Sequence, residues 1–199
     1  MSSISKTTLD LSFQPLTPDR WGDLKALFGE RGAVGGCWCM WWRLTRSQYE
    51  QQKGAGNKQT FKALVDSGEP PGLLVYAGNE PVAWCSLGPT EQFSMLARSR
   101  ILKPVDGRPV WSIVCLFIAK AYRQQGVSVR LLGAAIDYAK ACGASIVEGY
   151  PVEPKKDSMP AVFASTGIAA AFRQTDFVEV LRRSETRPIM RYIIDLSED

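Results

Sequence analysis

The chain contains no histidine among its 199 residues, and that absence removes several chemistries at once. Serine–histidine and cysteine–histidine nucleophilic pairs cannot be built, nor can any zinc centre that uses imidazole. Cysteine is sparse, at five residues, an odd number without framework spacing, which fits a reducing compartment. Cys37 and Cys39 flank Trp38, but Cys85, Cys115 and Cys142 are scattered through predicted strands and a helix, so no metal centre is expected. No apolar run approaches the roughly 20 residues that span a bilayer. The segment Met1 to Asp10 lacks the apolar core of a signal peptide, so the cytoplasm is the expected location and no membrane association is expected. The net charge of +4 is spread along the chain rather than clustered, which argues against a nucleic-acid partner and suits a small polyanionic ligand equally well.

What the chain does have is apolar content, 45% of residues, enough for a sizeable core in one domain. Its organising stretch runs from Arg108 to Val152. Val110 to Ile118 is nearly continuously apolar, β-branched or aromatic, the pattern of a strand covered on both faces. A helical pattern follows, with Val129, Leu132, Ile136 and Ala139 at three- and four-residue steps. It should stop near Cys142-Gly143, where glycine can take a left-handed cap conformation. A second strand, Ala144 to Val147, leads into Glu148-Gly149-Tyr150-Pro151.

Between the first strand and the helix lies Arg123-Gln124-Gln125-Gly126-Val127-Ser128. A helix start offers unpaired backbone N–H groups and the positive end of the helix dipole, so a turn of little bulk there can hold a diphosphate. Gly126 permits close approach, Ser128 adds a hydroxyl and Arg123 adds charge. The spacing Arg-x-x-Gly-x-Ser resembles the acyl-CoA pyrophosphate loop of the GNAT-type N-acetyltransferase superfamily, with Ser128 at a position usually held by glycine or alanine.

The rest of the chain is consistent with that setting. Leu9 to Leu16 reads as a first strand. Thr17-Pro18 reads as a helix start, followed by an apolar face of Trp21, Leu24, Leu27 and Phe28. Gly29 to Gly36 is a loop, and Cys37 to Arg43 places three tryptophans within five residues. Ser47 to Gln59 is polar and expected to be mobile, with a short helix over Thr60 to Val65. Leu73 to Tyr76 and Val82 to Leu87 form a hairpin around Gly78-Asn79-Glu80. Glu91 to Lys103 reads as an insertion or short helix. Pro151 to Pro160 is a polar loop containing Lys155 and Lys156. A helix over Val162 to Arg173, interrupted at Gly167, precedes a last hairpin of Phe177 to Leu181 and Ile189 to Ile194.

This order resembles the GNAT-type fold from about Leu9 to Leu196. The resemblance implies an α/β architecture with a central mixed, mostly antiparallel sheet and helices on both faces. It further implies that acetyl-CoA lies where two strands splay, with pantetheine along Leu116, Phe117 and Ile118 and diphosphate on Arg123, Gln124, Gln125, Gly126, Val127 and Ser128. An amine acceptor then attacks the thioester directly, with a strand amide stabilising the oxyanion.

The family's leaving-group tyrosine is matched by Phe172, which has no proton to give, and Asp176 stands where a glycine is usual. Glu148 is the first candidate base, its alternative being a carboxylate paired with arginine. Tyr150 is the candidate acid, its alternative being a packing residue. Trp38, Trp41, Trp42 and Arg43 either pin a segment to the core or wall an acceptor pocket, Arg43 then facing an anionic group. The missing tyrosine makes an alternative tenable, a module that binds acyl-CoA without turnover. An edge strand or the last hairpin could pair two copies.

Overall fold

The structure is a computed structural model and describes residues 9–154 and 165–194. Seven strands form one mixed sheet: β1 (Leu11–Pro15), β2 (Gly72–Ala77), β3 (Glu80–Pro89), β4 (Trp111–Ile118), β5 (Ile146–Gly149), β6 (Val178–Arg182) and β7 (Pro188–Ile193). Their order is β1-β2-β3-β4-β5-β7-β6, and only β4 and β5 run parallel. Those two are joined by α5 (Val127–Ala141), the crossover that parallel neighbours require.

Alternation along the strands separates two cores. In β2, Leu73 and Val75 face the α5 side, whereas Leu74 and Tyr76 face the other. Helix α5 buries Val127, Leu131, Leu132, Ala135, Ile136 and Ala139. The predicted stripe was two positions out at its start, since Val129 is only half-buried and Val127 is the buried residue. The opposite face is covered by α1 (Trp21–Phe28), the 38–44 segment and α3 (Ala55–Asp66). The short α4 (Ser94–Arg98) supplies Leu96 to a third cluster with Phe93, Val114, Tyr150 and Ile189.

Three expectations are corrected. Ser47 to Gln59 is not a mobile polar stretch: α2 (Arg46–Gln52) and α3 occupy it. Thr45 and Gln48 form a reciprocal capping box that satisfies two of the N–H groups otherwise orphaned at the start of α2. Tyr49, Asn57, Phe61 and Val65 are the few side chains the two helices bury, too few to produce an obvious apolar period. Thr17 does not cap a helix. Its hydroxyl accepts from Arg20 at 2.7 Å, a 3-10 turn spans Pro18–Arg20, and α1 begins only at Trp21. The last helix is shorter than predicted: α6 spans Ala169–Arg173, because Gly167 sits at φ +86 and Val152 and Ile168 are bridged as extended chain. Residues 162–164 of that prediction, with Lys155 and Lys156, lie outside the described residues.

The sheet opens where function was expected. Ser86 pairs with Cys115 but Leu87 pairs with Ile113, so Val114 is an extra residue that bends and twists β4. On its other edge β4 pairs with β5 only over Trp111–Ile113 and Val147–Gly149. Beyond those three pairs the strands diverge.

Candidate active site

The loop before α5 is preorganised by its backbone. Gln124 and Gly126 both lie in the left-handed region, at φ +60 and +76, and Gly126 is the residue from which α5 starts. Successive amides in such a turn converge into an anion-binding concavity. A Cβ on Gly126 would meet no protein atom within 4 Å, so glycine is required by φ and the space above it is open. Arg123, Gln124, Gln125 and Gly126 are all exposed, Ser128 is half-buried and Val127 is buried in the core. Arg123 Nε donates to the Ile118 carbonyl at 2.9 Å and Gln125 to the Ala121 carbonyl at 2.6 Å. These bonds tie the loop back to the end of β4.

Along the splay, Leu116, Phe117 and Ile118 pair on one side with Cys85, Trp84 and Ala83 of β3. On the other side the Leu116 N–H donates to the Ser165 carbonyl at 2.7 Å. The Leu116 amide is therefore already paired with the chain's own backbone. Phe172 closes the base of this region. It is fully buried, and Cβ atoms built on Gly149 and Gly167 would meet its ring at 2.1 and 2.7 Å. Both glycines are sites that the ring fills.

At the last paired positions of β4 and β5 sits a buried polar network. The Tyr150 hydroxyl donates to Glu148 Oε1 at 2.7 Å and lies 2.9 Å from the Ser112 hydroxyl, which is 2.6 Å from that of Thr90. Arg191 Nε donates to Glu148 Oε2 at 2.6 Å, and the same guanidinium reaches both oxygens of Asp106. Glu148, Arg191 and Ser112 are at most 1% exposed. Such burial of charge is sustainable only with this degree of pairing. Burial, followed by the neighbouring Glu148 charge, pushes the Tyr150 phenol well above its ordinary pKa, so it keeps its proton at neutral pH. Glu148 and Arg191, with Asp106, Thr90 and Arg108, also line a cleft of about 160 Å³.

The tryptophan cluster divides. Trp38 is 2% exposed and packs at 5.8 Å from both Trp21 and Phe28, which makes it a core residue. Trp41 is 39% exposed and stands edge-on to Tyr49. Trp42 is half-buried against the Phe93 cluster, its carbonyl accepting from the Met95 N–H at 3.1 Å. Arg43 beside it stacks on Phe93 at 4.4 Å. Below them the thiol of Cys39 is pushed well above its ordinary pKa, first by a hydrogen bond with Cys115 and then by burial. The Cys39 thiol is therefore an inert packing group at neutral pH.

Sequence reasoning missed Thr90, Ser112, Asp106 and Arg191. Ser112 and Arg191 did leave a signal, each being a polar residue inside an otherwise apolar strand.

A sequence model of the acetyltransferase (GNAT) family matches residues 38–160, more than half of the chain, and the chain belongs to that family. The fold is shared along almost the whole length. A GNAT-family acetyltransferase from Streptococcus agalactiae superposes with a TM-score of 0.56 at 9% identity, covering 93% of this chain and 96% of the other. NAA60 of Arabidopsis thaliana, solved with acetyl-CoA, gives 0.51 at 13% identity over 93% and 100%. The yncA protein of Salmonella typhimurium, solved with its cofactor acetyl-CoA, gives 0.52 at 11% over 94% and 95%. No curated protein matches the sequence. Among the described residues no helix is long and apolar enough to cross a membrane.

Proposed function

We propose that the protein transfers an acetyl group from acetyl-CoA to the amine of a small molecule or peptide, by direct attack within a ternary complex. The observation that carries this reading is the coincidence of three features. β4 and β5 part after Ile113 and Gly149, an open left-handed turn stands at the far end of the splay, and the Tyr150–Glu148 pair stands at its apex.

In this reading the diphosphate rests on the amides of Arg123 to Ser128 and the pantetheine extends along Leu116 to Ile118. To reach the Leu116 N–H, the acyl-CoA must displace the Ser165 carbonyl. The amine nitrogen attacks the thioester carbonyl, the C–N bond forms, and the oxyanion is held by that amide. Collapse breaks the C–S bond and releases the CoA thiolate, and the nitrogen gives up its second proton to solvent as the neutral amide forms.

An alkylammonium must lose a proton before attack, and Glu148 receives it through water. Tyr150, which retains its proton at neutral pH, supplies one to the departing sulfur in place of the hydroxyl that Phe172 lacks. Trp42 and Arg43 wall the acceptor side. Trp38 and Trp41 support that wall from the core and from the surface. The whole chain forms one such domain and acts in the cytoplasm, without a metal. The exposed β6 edge, where Val178 is 58% exposed, is the surface on which two copies would pair.

Full burial of Phe172 favours a second reading, acyl-CoA binding without turnover, since the position can contribute packing and nothing else. Amine-dependent release of free CoA separates the two. The first reading expects release with at least one class in a panel of amines, amino acids and peptides, reduced at least about tenfold by Glu148→Gln. Saturable acetyl-CoA binding with no release across the panel supports the second.

A further inference from the structure

Among the described residues, Arg43 is a cation without an anion. Its Nη1 donates to the side-chain oxygen of Gln92 at 3.0 Å and its Nη2 to the Pro71 carbonyl at 3.5 Å, the outer limit of a hydrogen bond. Its Nε is buried with no partner. A guanidinium offers five N–H donors, so most of its capacity is unused. Among the described residues no carboxylate lies within ion-pairing distance of it, whereas Arg191 engages two carboxylates. The neighbouring structure holds the group firmly. Its face stacks on Phe93 at 4.4 Å, and Ser94 donates to its backbone carbonyl at 3.1 Å. The residue nevertheless retains partial exposure. Burial depresses its pKa to about 10, as expected for a cation that has lost water and gained no counter-charge.

Its position in the fold gives that vacancy a meaning. Gln92, which holds Arg43, lies directly over Gly88, where an added Cβ would come within 2.9 Å of the amide oxygen. Gly88 of β3 is the register partner of Ser112 on β4, and Ser112 is in turn the partner of Glu148 on β5. Cross-strand partners share a face, and the Ser112 hydroxyl reaches Tyr150 on that face. Arg43 and the Glu148–Tyr150 pair therefore lie on the same side of the sheet, two strands apart. Strand spacing puts Gly88, the residue that Gln92 covers, roughly 10 Å from Glu148 across β4. An acceptor whose amine reaches the Glu148–Tyr150 pair must therefore extend several bonds across the sheet to set an acid on Arg43.

We infer that Arg43 receives a carboxylate of the acceptor, and that the acceptor class is an amino carboxylate whose amine and acid are several bonds apart. This rests on the acetyltransfer reading for the amine half of the ligand and on Arg43 alone for the acid half. A carboxylate matches the planar fork of the guanidinium and cancels its single charge. A phosphate dianion would leave excess charge in a partly desolvated site. The half-buried Trp42 next to Arg43 suits a ligand with an apolar body.

The test uses the full chain and three probe pairs: 5-aminopentanoate against pentylamine, 4-(aminomethyl)benzoate against 4-(aminomethyl)benzamide, and benzoate against benzamide. Each is titrated calorimetrically with and without saturating CoA. At least one acid is expected to bind at least tenfold more tightly than its uncharged partner. Arg43→Met should bring that ratio to near one while leaving acetyl-CoA affinity unchanged. Arg43→Lys, which keeps the charge and loses the fork, should lower the ratio at least fivefold, and it serves if the methionine variant fails to fold. Equal binding of acid and partner in all three pairs overturns the inference, as does a ratio unchanged in the folded variants. Loss of acetyl-CoA binding in the parent protein would instead sink the acetyltransfer reading, and the pairs titrated without CoA still decide the carboxylate site.

Discussion

The fit of Phe172 between two glycines makes a quantitative prediction. Its ring is fully exposed to neighbours and to no solvent, and it stands edge-on to Phe177 at 4.9 Å. Phe172→Ala removes that buried ring and leaves a void, which costs about 3–5 kcal/mol in a core that relaxes only partly. Gly149→Ala does the opposite. Its methyl would lie 2.1 Å from Phe172 Cε1, less than any real contact, so the ring must shift, at about 1–3 kcal/mol.

The two losses share one volume, so they cannot add. In the double variant the new methyl occupies space the ring has vacated, and the total should fall short of the sum by at least about 1 kcal/mol. Equilibrium urea unfolding of the four proteins, compared at constant m-value, measures that coupling. Strict additivity would show that the ring does not press on Gly149. A Phe172→Ala variant that lost turnover while keeping its stability would contradict the packing role altogether.

Other predictions follow from single groups. Glu153 accepts from Arg173 at 2.7 Å and from Arg182 at 2.5 Å, and these bonds, Arg173 first, hold its carboxyl down at about 2. The folded value lies below the unfolded one near 4.3, so its contribution is complete above about pH 4.3 and is lost as the pH falls toward 2. Urea midpoints measured from pH 6 to pH 2 should decline in that window, and Glu153→Gln should flatten the decline. An unchanged slope would remove Glu153 as a cause. Thr45→Ala breaks the reciprocal cap of α2 and should cost about 1 kcal/mol, read by the same unfolding assay. A loss below the experimental error would mean that α2 is held by its packing alone.

Much of the fold was legible because its signals are local. The nearly continuous apolar run from Val110 to Ile118 and the turn at Gly126 located β4, the loop and α5 within a residue or two. The 46–59 segment was not legible, since two amphipathic helices that bury only Tyr49, Asn57, Phe61 and Val65 look polar in sequence. Tryptophan density located a crowded region but could not sort its members. Whether Trp38 enters the core and Trp42 joins the Phe93 cluster depends on a turn in which Trp38 and Cys39 both take positive φ, and no propensity foretells that.

The polar network was half legible. Ser112, Glu148 and Arg191 each interrupt an apolar strand, and three such interruptions on neighbouring strands are what a buried network requires. Their pairing depended on the order β4-β5-β7, which is a property of topology. Asp106 comes from a loop and Thr90 from a 3-10 turn after β3, and neither carried a signal.

The central claim is that the turn at Gly126 holds the diphosphate of acetyl-CoA, and one titration addresses it most directly. Purified protein and its Gly126→Glu variant are titrated with acetyl-CoA and with CoA in a calorimeter, with unfolding curves to show that both are folded. The account predicts saturable binding by the parent, and its loss in the variant, where a carboxylate enters the open space above the turn and repels the diphosphate. Undiminished affinity in a folded variant would contradict the assignment of the loop, and the mechanism built on it would fall.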